Sequence, residues 1–510
     1  MLETELHFQL PSDFKVQEFI AELGSKTALQ IASQQDFSKT FYDSFDWRLF
    51  CADLLCEWNR SKAASQLCLS NWQNSQVIAA TDLDQVPMFA DQFSDEAIRT
   101  KLASLLEMRA LMPLASLNYQ AICLNILNKE QKTTVRLLIE DYELLPARVH
   151  IQPIKGYDKA AKRISQLLKK KLELKAIKKT LLESALKLQG RKPKDYSSKL
   201  NIHLDPGMRA DIACKSIYDI LLRTIRVNEA GTIEATDSEF LHDFRVAVRR
   251  TRSGLSQLKN ILPEQATARH KAFFAWLGQI TGLARDLDVY LLNFPGYKQS
   301  LPRDMRSSLD PLFDFIQRKQ NKAYRELAVK LKSDKYLSGL QAWEAYLNEP
   351  VEMHPSESHA LRSIKQVADK RIFKVYQQVL NGGNAITEQS PAQDLHELRK
   401  TCKKLRYLME FFQDLYPEKE IGDLIKVLKN FQNILGDFQD YEIQEQTLKT
   451  FAEEMKAEQA SVETFIAMGV LVQNLHQKRE QVRQHFSGSF AQFKRPANQA
   501  VFNALFAKKG

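Results

Sequence analysis

A pattern of one histidine and three cations occurs twice in this chain, and its spacing is that of a helix. Leu241-His242-Asp243-Phe244-Arg245 runs on through Arg249 and Arg252, and Leu395-His396-Glu397-Leu398-Arg399 runs on through Lys403 and Arg406. Positions i, i+3, i+7 and i+10 advance by about 100° per residue and fall within an arc of about 80°, so each set forms one basic stripe. An apolar row lies beside each stripe: Leu241, Phe244, Val248 and Leu255 in the first, Leu395, Leu398, Cys402 and Leu405 in the second. Such a row docks the helix on a bundle and turns the stripe toward a groove, a channel or solvent. Before each histidine stands a helix-start signal, Thr236-x-x-Glu239 and Ser390-Pro391-x-Gln393. A basic stripe on one helix is usually a solvated face. Two at matched offsets are not needed for solubility, and they suggest a pseudo-symmetric site for a polyanion.

The rest of the chain is consistent with a duplicated bundle. Beyond about Leu204, long apolar periodicities are punctuated by Asn228–Gly231, Leu262-Pro263, Asn293–Pro302, Glu349–Pro355 and Gly382–Pro391. That punctuation predicts roughly eight to ten helices, divided near Glu349–Pro355. Residues 1–157 read differently. Glu3 to Leu10 alternates with period two, and Leu117–Leu127 and Thr133–Tyr142 are strand candidates flanking a turn at Asn128–Gln131. Helical patches are expected near Ser12–Leu23 and Ser94–Leu106. At 510 residues, two to four domains are expected.

The net charge of +10 is concentrated: residues 155–200 hold 15 Lys/Arg against Asp158, Glu173, Glu183 and Asp195. This segment predicts a basic helical linker attractive to phosphate-rich partners. The opening residues lack the basic-then-apolar pattern of a signal peptide, and no apolar run approaches membrane-helix length. Six scattered cysteines without a CxxC pair argue against a disulfide framework or a zinc site and fit a cytoplasmic location. His242-Asp243 suggests the dyad of metal-dependent HD hydrolases, but the second copy reads His396-Glu397 and no upstream histidine pair completes a ligand set. Asp286, Asp288, Asp437 and Asp440 are placed to bridge some of the cations, and Asp288 and Asp440 follow their histidines at nearly equal distance.

Four ordered blocks resemble the CHAD domain: residues 241–252, Gly282-Leu-Ala-Arg-Asp-Leu-Asp-Val289, His396 through Tyr407, and Leu435-Gly-Asp-Phe-Gln-Asp440. The resemblance covers about residues 204–505. It implies an all-α fold of two four-helix repeats, about 204–349 and 356–505, around a basic pore that binds inorganic polyphosphate. The pore cations would be His242, Arg245, Arg249, Arg252, His396, Arg399, Lys403 and Arg406, with Arg250 and Lys404 in second rank.

The first 160 residues resemble the CYTH, or triphosphate tunnel, family. Glu3-Thr-Glu-Leu-His7 is similar to its opening strand, Phe41-Tyr-Asp-Ser-Phe-Asp46 to a second block, Lys132 through Glu140 to a later strand pair, and Gln152 through Tyr157 to its closing segment. The resemblance implies an α+β domain built on an antiparallel β-tunnel or barrel, joined through a linker at 161–203 to the helical domain. In that family inward carboxylates hold Mg2+ or Mn2+ and a ring of cations grips triphosphate. The candidates here are Glu3 and Glu5 for the metal, with Lys132, Arg136 and Glu140 also in the tunnel. The cations are eroded: His7 replaces the opening lysine, Glu57 and Asn59 stand in or near basic positions, and Asn118 and Gln120 lie on a strand where arginines are usual. Each lost charge-assisted contact costs about 1.5–3 kcal/mol. Sequence reasoning therefore favours a polyphosphate-binding protein with an impaired tunnel and no required cofactor. The alternative is a metal-dependent triphosphatase with the helical domain retaining its substrate. Nucleic-acid binding suits basic helices but lacks an aromatic stacking platform or a recognisable module.

Overall fold

The computed structural model describes residues 6–507 except 13, 75, 178, 199 and 201, so Glu3 and Glu5 lie outside the described residues. The chain divides into two compact units, Met1–Ser198 and Lys199–Gly510.

The first unit runs β1 (His7–Gln9), α1 (Val16–Lys26), β2 (Leu29–Asp43), α2 (Arg48–Cys51), β3 (Leu54–Arg60), β4 (Ser65–Asn71), β5 (Val77–Asp82), α3 (Glu96–Leu106), β6 (Met112–Leu127), β7 (Thr133–Tyr142), β8 (Arg148–Pro153), α4 (Asp158–Lys170), β9 (Lys175–Ala176) and α5 (Leu181–Leu188). Its strands form one sheet in the order β5-β4-β3-β2-β6-β7-β8-β1-β9, and all its pairings are antiparallel. The antiparallel α+β architecture matches expectation, but the sheet stays open. The terminal strands β5 and β9 do not pair with each other, and β9 is only two residues long.

Register decides what each face of the sheet carries, because paired residues share a side and neighbours along a strand alternate. One face presents Leu124, Leu137, Ile139, Val149 and Ile151 to α1 and α4, and Cys56, Trp58, Leu67 and Leu69 to α3. The other carries Phe41, Leu117, Tyr119 and Tyr142, covered by Leu181, Leu182, Ala185 and Leu186 of α5. The lysine-rich stretch expected to be a linker thus lies within the first unit. Ala161, Ile164 and Leu168 seat α4 in the core while Lys159, Lys162, Arg163 and Lys170 face solvent.

The second unit is all helix: α6 (Ala210–Ile233), α7 (Ser238–Gln257), α8 (Glu264–Ile280), α9 (Gly282–Gln299), α10 (Asp310–Leu331), α11 (Asp334–Asn348), α12 (Ile364–Ala385), α13 (Ala392–Phe412), α14 (Glu418–Ala457), α15 (Val462–Phe493) and α16 (Pro496–Phe506). Eleven α-helices among the described residues slightly exceed the expected number, because α8 and α9 together correspond to the single long α14. The series α6, α7, α8–α9, α10 matches α12, α13, α14, α15 in order, and α11 and α16 are additions. The two series start side by side: Ala210 N–H donates to Arg362 O at 2.9 Å and Ile364 N–H to Met208 O at 2.8 Å. One hydrophobic core runs through both.

The α6–α7 packing depends on a missing side chain. A methyl at Gly254 would stand 2.8 Å from the buried Tyr218 ring. Gly254→Ala is expected to cost about 1–3 kcal/mol through overpacking, measurable as a lowered denaturant midpoint with an unchanged slope.

Candidate functional site

The two basic stripes come together in the second unit. Asp237, rather than Thr236, caps α7, its carboxylate accepting from the N–H groups of Glu239 and Phe240. Pro391 is the cap residue of α13. Buried Leu241, Phe244, Val248 and Leu255 on α7, and Leu395, Leu398, Cys402 and Leu405 on α13, fix both helices in the core. Between the helices Glu410 accepts from Arg250 Nη2 at 2.8 Å, and it pairs with Arg406 Nε at 3.4 Å. The second-rank cation Arg250 is therefore held in an ion pair. Lys404 lies exposed near Glu397.

Each remaining cation has a distinct setting. Arg245 donates to Gly278 O at 3.1 Å and Thr281 Oγ1 at 2.8 Å, both neutral acceptors. Arg399 donates to Gln439 Oε1 at 2.8 Å and Asp440 Oδ1 at 3.1 Å. Arg249, Arg252 and Lys403 make no hydrogen bond or ion pair among the described residues, and His396 makes none either. Arg252 lies against bare backbone, since a Cβ at Gly278 would meet its Nη1 at 2.8 Å.

The cations act on one another across the repeats. Burial, then Arg399, Arg249 and Arg406, push the Lys403 ammonium down to about 8 against the opposing pull of Asp440. Burial likewise lowers Arg245 to about 10, with Arg249, Arg285 and Arg252 adding to it and Asp286 opposing. A lysine on α13 that is sensitive to an arginine on α7 shows that the two stripes share one electrostatic environment.

His242 departs from the expected set of cations. Arg285 Nη2 lies 2.8 Å from its Nδ1. A guanidinium can only donate, so that nitrogen must accept and the ring is neutral, with its proton on Nε2. Arg285 itself is anchored on Ser238 O at 3.1 Å, with Glu239 at 3.8 Å and Asp288 at 4.0 Å. Sequence reasoning missed Arg285 as a site residue, although it stands inside the block at 282–289. It missed Glu410 as well, which no block signals.

In the first unit the expected tunnel residues that are described, Lys132, Arg136 and Glu140, do not converge. Lys132 is exposed beside the β6–β7 turn, paired with Glu130 at 3.0 Å. Arg136 is exposed, opposite Asn125 and Gln152 in the sheet register. Only Glu140 is buried among polar partners, on the α5-covered face. Its Oε1 meets Lys39 Nζ at 3.4 Å, and its Oε2 accepts from Tyr142 OH at 2.6 Å and lies 3.0 Å from His150 Nε2. Lys39 also lies 3.7 Å from Glu57. Burial disfavours the charge on both partners, yet Lys39 holds the Glu140 carboxyl far below the usual range, and Glu57 and Glu140 hold the Lys39 ammonium above its own.

His7 Nδ1 lies 2.8 Å from His150 Nδ1, so one proton at most occupies that contact, and burial lowers His7 first. Asn118 and Gln120 face the other way, lining an open cleft of about 740 Å³ with Asp36, Arg60, Lys62 and Asp141. Near Lys39, β6 places Leu117, Tyr119 and Ala121 on that face. Lys39 itself was missed; its signal is the alternation Phe37-x-Lys39-x-Phe41. Asp43, in the block at 41–46, holds the turn into α2 in place, its carboxylate accepting from the N–H groups of Ser44, Leu49 and Phe50.

Residues 216–449 match the family model described as the CHAD domain. An uncharacterised protein of Mycobacterium tuberculosis, found in two strains, is 23% identical over 297 residues, covering 58% of this chain. The chain spans about half the length of those relatives, 55%. Among solved structures, the CHAD domain from the plant Ricinus communis is 23% identical, with a TM-score of 0.45, covering 60% of this chain and 96% of that one. A Hippeastrum protein described as an adenylyl cyclase candidate with a dominant triphosphatase activity is 11% identical, with a TM-score of 0.29, covering 38% and 98%. No helix among the described residues is long and apolar enough to cross a membrane.

Proposed function

We propose, taking as premise that residues 216–449 are a CHAD domain, that this protein binds inorganic polyphosphate between α7 and α13. One observation carries the reading: Arg249, Arg252 and Lys403 come from two repeats, lack protein partners among the described residues, and stand within a group of mutually repelling cations. An anion relieves that repulsion. A chain of phosphates does so at several points without needing base edges or stacking, and arginine offers multi-donor contacts to phosphate oxygens. Affinity would be salt-sensitive, since each neutralised phosphate releases a counterion.

The test is titration of the full chain with long-chain polyphosphate at several salt concentrations. The reading expects a linear fall of log affinity with log salt, and retained binding when a nucleic acid of matched charge competes. Preferential displacement by nucleic acid would favour that other partner. Absence of binding at moderate salt would dismiss the reading.

Affinity should also depend on pH through Lys403. In the free protein this ammonium titrates at about 8, and a bound phosphate raises that value. Below pH 8 the charge is already present and affinity is flat. Above it, binding must take up a proton, so affinity falls by up to about tenfold per pH unit until the bound-state value is passed. Lys403→Arg removes that fall, because guanidinium does not titrate there. Isothermal titration at about pH 7, 8 and 9 reads the difference.

The first unit, on this reading, is impaired as a triphosphatase. Its interior cation Lys39 is already engaged by Glu57 and Glu140. No group of three or more His, Cys, Asp or Glu among the described residues is arranged to hold a metal, and the proposed Mg2+ or Mn2+ ligands Glu3 and Glu5 lie outside those residues. The full chain is expected to release no phosphate from tripolyphosphate with either metal. Release that disappears in Glu3→Gln would establish the alternative enzyme reading.

A further inference from the structure

The two stripes match in sequence but not in charge balance. The equivalent acids Asp286 and Asp440, each 44 residues after its histidine, behave differently. Asp440 pairs with Arg399 at 3.1 Å. Asp286 makes no ion pair with Arg245 among the described residues, and Asp288, the counterpart of Glu442, is buried and accepts from Gln320 Nε2 at 2.7 Å and Tyr324 OH at 2.8 Å. One residue before Asp286 and Asp440, the first repeat has Arg285 where the second has the neutral Gln439. Glu410 adds a further carboxylate at Arg406. Around the second stripe, then, Arg399 and Arg406 carry their own counter-charges, and Lys403 and His396 are unpaired among the described residues. Around the first, Arg245 rests on neutral acceptors, and Arg249 and Arg252 have no protein partner among the described residues. Asp286 moderates Arg245 from a distance.

We infer that the polyanion site is two unequal subsites: a primary one on α7, formed by Arg245, Arg249 and Arg252 with Lys403 reaching across, and a gated one at Arg399 and Arg406. The gated subsite opens only when phosphates displace Asp440 and Glu410. The inference rests on the polyphosphate reading above and adds a chain-length rule to it. A short phosphate oligomer needs only the primary subsite. A long chain, already held there, supplies further phosphates at high local concentration and exchanges them for the carboxylates.

The experiment compares tripolyphosphate with long-chain polyphosphate on the full chain and three variants. Arg252→Gln should weaken tripolyphosphate by about tenfold or more, the loss of one charge-assisted contact. Arg399→Gln should leave tripolyphosphate within about twofold while weakening the long chain as Arg252→Gln does. Asp440→Asn should strengthen tripolyphosphate by freeing Arg399. Arg252 is exposed and makes no bond within the described protein, so its loss does not disturb the fold. Equal effects of Arg252→Gln and Arg399→Gln on tripolyphosphate, or no gain in Asp440→Asn, would overturn the unequal subsites while leaving the polyphosphate reading in place. Unchanged binding of both ligands in all three variants would overturn that reading itself.

Discussion

A chain carrying both Arg249→Glu and Lys403→Glu is expected to lose polyphosphate affinity by about two to four orders of magnitude, or more, without losing stability. Each charge-assisted contact removed costs about 1.5–3 kcal/mol, so two cost about 3–6 kcal/mol before the new repulsion is counted. The stability half of the expectation follows from the free protein's electrostatics. Lys403 is held down to about 8 by burial and by Arg399, Arg249 and Arg406, so its charge opposes folding. A carboxylate at that position would be attracted to Arg399 and Arg406, which the double variant keeps. The melting temperature of the second unit should therefore stay level or rise while binding disappears. If affinity and melting temperature fall together, the cluster is a structural network and not a ligand site. If neither changes, α7 and α13 do not form the site.

What the sequence revealed of this site, and what it concealed, follows from the range of the interactions. The stripe is local: four positions within eleven residues of one helix, readable from the 3.6-residue period alone. Its pairing with a second stripe was legible because duplication repeats the same local pattern. The charge state of His242 is not local, since it depends on a guanidinium 43 positions away. Nor is the fate of Arg250 and Arg406, which depends on Glu410 lying between two helices from different repeats. Asp286 and Asp440 occupy equivalent places in the motif, yet Asp440 pairs with Arg399 and Asp286 makes no ion pair with Arg245 among the described residues. Only packing separates them.

The first unit was harder to read, because a sheet is assembled from partners distant in sequence. The β6–β7 hairpin was visible from its alternation and turn. The long β2 was not: its outer residues 30–36 are exposed and largely polar, and only its end from Phe37 alternates toward the covered face. Lys39 sits in that end, and its partners come from β3 and β7. The cations singled out instead, Lys132 and Arg136, lie toward the turn end of the hairpin, where neither burial nor α5 reaches. Glu140, also singled out, lies on the covered face as the counter-charge of Lys39.

That role predicts the largest stability effect in the first unit. Glu140→Gln keeps the shape but removes the charge that compensates Lys39, and it weakens the contacts to Tyr142 and His150. Breaking a buried ion pair from one side costs about 3–5 kcal/mol, because the remaining charge is left uncompensated. Glu57, at 3.7 Å from Lys39, retains part of the compensation and places the expectation at the lower end. Lys39→Met combined with Glu140→Leu should recover part of the loss, since it removes both charges of the pair but leaves Glu57 without Lys39. Hydrogen exchange on the peptides of β2 and β7 localises the opening to this unit.

The pH dependence carries a definite sign. Glu140 is held below its ordinary value, so its contribution is complete above the unfolded value near about 4.3 and is lost as pH falls below it. The parent protein should therefore lose protection in β2 and β7 more steeply than Glu140→Gln as pH drops from about 5 to 3, the variant lacking this titrating group. Parallel acid profiles would mean that Glu140 and Lys39 do not form the buried pair that fills this face of the sheet.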